Sequence, residues 1–173
     1  IKLDFVNNNY IYSRSPVYFS GEIDFPISLF SSDSSGGGIL LDRVEEFSYF
    51  EHVNINSFGE KKISERSLTG VVTIYESNAE FKSCNFVKNK SEDALNIVKS
   101  NFRLEYCNFM NNSNDAIDLD FSNGTIVNSN FFRSGNDAID CSGSEIYLKD
   151  IKINHTMDKG ISAGEASKIN GSN

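Results

Sequence analysis

Two aspartates occupy the middle of strand-patterned segments, Asp118 and, 22 residues on, Asp140. Carboxylates are disfavoured inside strands, so their presence there needs a reason. Asp120 lies two residues along from Asp118 and shares its face, with Ser142 in the matching place beside Asp140. Asn96 precedes Asp118 by another 22 residues. If these segments stack as neighbouring strands, equivalent residues lie about 4.8 Å apart. Two ionised carboxylates at that distance repel by roughly 1 kcal/mol in water and roughly 3–4 kcal/mol at an effective dielectric near 20. A bound cation or a raised pKa relieves the repulsion. Calcium, which accepts several oxygen ligands in flexible geometry, is the candidate cation, and Asp118, Asp120 and Asp140 its candidate ligands. Asn96, Asp118, Asp120, Asp140 and Ser142 form the candidate substrate-binding set. A solvated acidic strip with splayed side chains is the simpler reading, because acidic surface patches are common.

Catalysis on this strip would need further parts. A lyase or C5-epimerase acting on uronic acids needs a base and a cationic group that stabilises the developing enolate. Asp118, Asp140, Arg133 and Lys159 are the candidates. Arg133 and His155 fall in one turn column, and Lys159 takes the place of a leading aspartate in its copy. A glycoside hydrolase would instead use two of the three strip carboxylates. Neither set is specific, since stacking brings like residues together on any solenoid.

The elements that would position these residues are set by a repeat. Asp93-Ala94-Leu95-Asn96-Ile97, Asp115-Ala116-Ile117-Asp118-Leu119 and Asp137-Ala138-Ile139-Asp140-Cys141 recur at intervals of 22 residues. Within each copy apolar residues alternate with polar ones, the period of a strand. A second short strand follows, with Phe81 and Cys84, Leu104 and Cys107, Ile126 and Ser129, and Leu148 and Ile151 in matching places. Phe86, Phe109, Phe131 and Ile153 close each copy, and Asn, Gly and Ser supply the turns between. Three strands and three turns per copy describe an all-β solenoid, a right-handed parallel β-helix of about 22 residues per coil. Each coil contributes apolar side chains to interior ladders such as Leu95/Ile117/Ile139/Ile161, every buried one worth roughly 1.5–3 kcal/mol. Outside, stacking puts Glu80 beside Arg103 and Lys82 beside Glu105, opposite charges in both cases. The leading Asp93, Asp115 and Asp137 sit at turn–strand junctions and are expected to accept backbone N–H bonds there. A leucine-rich repeat of similar period would require dense leucine and a helical segment in each copy, which this chain lacks.

The regular coils span 70–173, an early coil 38–55, and a polar insertion about 56–69 is expected to project from a turn. Residues 1–37 hold strand-like pieces without a clean register. The chain reads as one β-helix domain cut from a longer polypeptide, with flanking domains expected at one or both ends. A formal charge of −8 and a pI near 4.7 argue against nucleic acid or an anionic membrane as a partner. No apolar run is long enough for a membrane-spanning helix. Cys84 and Cys107 share an interior column and are within reach of a disulfide, although three small buried thiols are the simpler reading. Only two histidines, His52 and His155, and no C-x-x-C leave zinc without support.

The repeated NDAID/EDALN first strand and CNF/SNF bend, over about residues 38–173, resemble the pectate-lyase-like right-handed β-helix superfamily. LTGVVTIYES, SEDALNIVKSNF, SNDAIDLDFSNG and GNDAIDCSGS resemble more narrowly the β-helix regions of bacterial surface proteins, some joined to spore-coat H-type kinase domains. The resemblance implies an extracellular or cell-surface location and a polysaccharide partner on one parallel sheet, the one carrying Asn96, Asp118 and Asp140. It does not carry over catalytic residues, because the Gly-His-Gly of polygalacturonases and the Arg-x-Pro-x-x-Arg of pectate lyases are missing here. The expected function is therefore a non-catalytic saccharide-binding or spacer module. A polysaccharide lyase, epimerase or hydrolase is the first alternative, and an adhesion or assembly scaffold the second.

Overall fold

Short alternating runs favour strands over helices, and the computed structural model, which describes residues 1–59 and 69–172, is built of strands with no helix among the described residues. Seven coils contribute three strands each. The first holds β1 (Lys2–Asp4), β2 (Tyr10–Ser13) and β3 (Tyr18–Ser20); the second β4 (Ile27–Phe30), β5 (Gly38–Asp42) and β6 (Phe47–Glu51). The third has β7 (Val53–Asn56), β8 (Gly70–Tyr75) and β9 (Asn78–Lys82); the fourth β10 (Asn85–Val87), β11 (Asp93–Val98) and β12 (Asn101–Glu105). Then come β13 (Asn108–Met110), β14 (Asp115–Asp120) and β15 (Asn123–Val127), followed by β16 (Asn130–Phe132), β17 (Ile139–Ser142) and β18 (Glu145–Lys149). The last coil is β19 (Lys152–Asn154), β20 (Ile161–Gly164) and β21 (Lys168–Ser172).

First, second and third strands of each coil build three separate seven-stranded sheets, parallel throughout. This is the expected parallel β-helix, and its register is the expected one. Leu95, Ile117, Ile139 and Ile161 pair in one column, and Phe81, Leu104, Ile126 and Leu148 in another. The first three of each column are fully buried, whereas Ile161 in the last coil is exposed. Residues 1–37 supply β1 to β4, with Lys2 opposite Ser28, Tyr10 opposite Gly38 and Tyr18 opposite Tyr49. Longer and unequal turns between those strands hide the period in the sequence. Most of the expected insertion, residues 60–68, lies outside the described residues, and its assigned start, Asn56, belongs to β7.

Most corners are made by one residue in the left-handed region. Lys99, Phe121, Ser83, Asn111 and Arg133 have φ of 49, 49, 53, 55 and 56°. For a non-glycine residue that conformation costs roughly 1–2 kcal/mol. The corner N–H offsets it by reaching a carbonyl of the next coil, as from Lys99 to Asp120 and from Phe121 to Ser142, both at 2.8 Å. Side-chain ladders complete the turns. Ser100, Ser122 and Ser144 each accept an N–H from the preceding coil, from Ser77, Ser100 and Ser122 respectively. On the outer face of the first sheet, Asn85, Asn108 and Asn130 each donate a side-chain N–H to the asparagine before it, at 2.7, 2.9 and 2.9 Å.

One expectation about side chains changes, and the simpler reading of the cysteines holds. Arg103 and Lys82 do stand in register with Glu80 and Glu105. Arg103 nevertheless pairs with Glu105 on its own strand at 3.5 Å, and Lys82 with Glu51 of the preceding coil at 2.9 Å. Both are long, exposed side chains, free to choose among neighbours on one face. Cys84, Cys107 and Cys141 are free, buried thiols, so the Cys84–Cys107 disulfide does not form. The Cys84 and Cys107 thiols instead lie against the carbonyls of Phe50 and Phe81.

Candidate functional site

On the second sheet, residues of alternate parity turn away from the core and stack in register. One outward column runs Leu40, Thr73, Asn96, Asp118, Asp140 and Ser162. The next carries Val98, Asp120, Ser142 and Gly164. The five residues singled out as a substrate-binding set therefore lie together on one face, across β11, β14 and β17. None is fully exposed: Asn96 is buried, and Asp118, Asp120, Asp140 and Ser142 are half-buried. Asn96 donates its side-chain amide to Asp118 Oδ2 at 2.9 Å, which holds both side chains against the sheet.

Crowding of carboxylates on a partly dry surface sets the electrostatics. Burial, followed by the charges of Asp120, Asp140 and Asp115, pushes Asp118 up to about 7, against the opposing hydrogen bond from Asn96. Asp115 and Asp120 shift upward in the same way, burial again first. Asp118 thus carries a proton through much of the range below neutrality.

The leading column divides in two. Asp115 Oδ1 accepts the N–H of Asp137 at 2.7 Å, and Asp137 Oδ1 that of Lys159 at 2.6 Å, the role expected of them. Asp93 departs from it. The Asp115 N–H that would reach it goes to the Glu92 carbonyl at 3.1 Å. Asp93 is only 2% exposed, and its Oδ2 is a buried oxygen without a hydrogen-bond partner among the described residues. Burial is the main reason its carboxyl is pushed up to about 8; Thr69 hydrogen bonding opposes this, and Asp118, Asp115 and Glu92 reinforce it.

Of the basic candidates, Lys159 stands at the margin of this face, 3.9 Å from Asp137 Oδ1 and in an ion pair with Asp158. Arg133 does not join the strip. It occupies a corner, with its guanidinium 4.9 Å from the centroid of Phe132, and His155 meets the same ring edge-on at 5.4 Å. Nothing in the geometry adds support to the calcium expectation: among the described residues no three His, Cys, Asp or Glu side chains are grouped as ligands for one metal ion. Asp118 and Asp120 stand about 6–7 Å apart along one strand, and parallel columns carry side chains side by side rather than to a common point.

Sequence reasoning placed the strip and missed the distinct position of Asp93, which looks identical to Asp115 and Asp137. The available signal was its lower neighbour: Gly70 brings no side chain to meet Asp93, whereas the columns above are filled. A Cβ at Gly70 would also sit 2.8 Å from both Cβ and N of Asn96, so the glycine makes room for the strip's first polar residue. No family model matches this chain, and no curated protein matches it.

Proposed function

We propose that the chain is a non-catalytic saccharide-binding module of a secreted or cell-surface protein, using the outward face of its second sheet. The observation that carries this reading is the register column Asn96–Asp118–Asp140, fixed by the Asn96–Asp118 hydrogen bond. It offers donors and acceptors at strand spacing on a flat, half-buried surface, as an extended chain of hydroxyl-bearing rings requires. A catalytic constellation is less well supported, because the Arg133 guanidinium lies on Phe132 rather than among the carboxylates. The extracellular setting, the flanking domains and the kinship with pectate-lyase-like and spore-coat-linked β-helices rest on the sequence resemblance. The test is calorimetric titration with neutral, acidic and basic oligosaccharides. Binding should appear for at least one class and weaken at least tenfold in Asn96→Ala; no binding to any class sinks the proposal.

One observation favours the enzymatic alternative. Asp118, raised to about 7 mainly by burial, lies beside Asp140 in register, and a carboxyl that keeps its proton near neutrality can serve as a general acid. A lyase or epimerase on uronates, or a hydrolase, would show new ultraviolet-absorbing double bonds, inverted sugars or new reducing ends, all abolished by Asp118→Asn.

A further inference from the structure

We infer that the acidic face of the second sheet binds the ammonium groups of an amino-sugar saccharide, a hexosamine chain at least partly free of N-acetyl groups, with Asp93 accepting one of them. This rests on the saccharide-binding reading and names its ligand class.

The argument begins from Asp93 Oδ2, a buried acceptor without a hydrogen-bond partner among the described residues. Such an oxygen is stabilised by a donor from outside the chain. Thr69 hydrogen-bonds to the carboxyl, yet Oδ2 itself keeps no partner among the described residues. Asp118, Asp115 and Glu92 are the charges acting on it most strongly, all of its own sign. Asn96, the nearby amide on the same strand, is engaged with Asp118. Beneath Asp93 in register lies Gly70, which has no side chain to offer. From β14 the face receives Asp115, Asp118 and Asp120, and from β17 Asp140; Lys159 stands only at its far margin, committed to Asp137 and Asp158.

The ligand's charge follows from this arrangement. Acidic columns select a cation and repel uronates. A divalent metal needs several oxygens converging on one point, and the described carboxylates do not converge. They are spread from coil to coil, so monovalent charges spread along a polymer fit better than one concentrated ion. An ammonium also brings directional N–H donors, which is what the unpartnered Asp93 oxygen lacks. Docking exchanges the proton on Asp93 for an ammonium contact, so a proton leaves the protein as the ligand binds.

The test is calorimetry on the whole chain at pH 6.5 and low salt, in two buffers of different ionisation enthalpy. Glucosamine oligomers are compared with their N-acetylated counterparts, an oligouronate and a lysine oligomer of equal charge. The expected result is at least tenfold tighter binding of the glucosamine oligomer than of any other ligand, with proton release. Asp93→Asn should lose the proton release and about tenfold in affinity. Asp140→Asn, at a half-buried surface position, should weaken binding several-fold, which keeps the test decisive should Asp93→Asn fail to fold. Equal affinity for the N-acetylated oligomer overturns the ammonium assignment and leaves the saccharide reading standing. Tighter binding of the lysine oligomer overturns the amino-sugar assignment, and failure of every saccharide to bind overturns both.

Discussion

Phe86 and Phe109 stack face to face on adjacent coils, with ring centroids 4.6 Å apart and planes within 5°. Phe131 continues the stack at 5.0 Å and 4°. All three rings are buried, and Phe109 touches a like ring on the coil before and on the coil after, so removing it leaves a cavity between two coils. Phe109→Ala should destabilise by about 3–5 kcal/mol, and Phe109→Leu by distinctly less. Urea unfolding followed by circular dichroism reads both; a loss under 1 kcal/mol for the alanine variant would show that the stack does not hold neighbouring coils together.

The asparagine ladder permits a charge test. Asn108 donates to Asn85 Oδ1 and accepts from Asn130, both at 2.9 Å. Asn108→Ala removes two hydrogen bonds at a half-buried site and should cost about 1–2 kcal/mol. Asn108→Asp keeps the acceptor for Asn130 and, once ionised, turns a second acceptor toward Asn85. Its loss should therefore be larger at pH 7 than at pH 3 after correction for the parent chain. Equal losses at both values would mean that the ladder amides are free to turn over.

Much of this architecture was legible in the sequence because a solenoid repeats its constraints. Leu95, Ile117 and Ile139 announce one interior column three times, and a single shifted residue would put each on the wrong face. Asn96, Asp118 and Asp140 follow from the same register, so the strip could be placed before any coordinates. What stayed hidden depends on depth and on choices among equivalent neighbours. Asp93 matches Asp115 and Asp137 letter for letter, and the route of the Asp115 N–H and the glycine beneath it set it apart. Arg133 is placed by its affinity for the Phe132 ring, which periodicity does not encode. Residues 1–37 escaped because the turns there differ in length, although their strands obey the same register.

Glycine positions should separate sharply by what stands opposite them. At Gly38, φ is +78° and an added Cβ would collide with the Val71 carbonyl, a backbone atom of the next coil. At Gly143, φ is +63°, but the obstacle at 2.6 Å is the exposed and movable ring of Phe121. Lys99 and Phe121 already occupy the equivalent corner with φ of 49°. Gly38→Ala should therefore cost more than about 3 kcal/mol or prevent folding, and Gly143→Ala about 1 kcal/mol or less. Similar losses at the two sites would contradict the account of the corners.

Stability should fall as pH rises across the neutral range. Asp118 and Asp93 have ordinary values near 3.8 when unfolded and stand at about 7 and about 8 in the folded chain. Between those limits the native state binds more protons than the unfolded state, so raising the pH favours unfolding. Their contribution is intact below about pH 4 and is lost progressively up to about pH 8. Asp33 acts in the opposite sense: hydrogen bonds from the Ser35 side chain and backbone lead in lowering it to about 2, so its contribution is lost only in stronger acid. The melting temperature should accordingly drop between pH 5 and pH 8. In Asp93→Asn and Asp118→Asn, which keep the shape and remove the titration, the slope should flatten and the value at pH 8 should rise. A parent melting temperature that climbs over this interval would show that these carboxyls are solvated and ionised like surface groups.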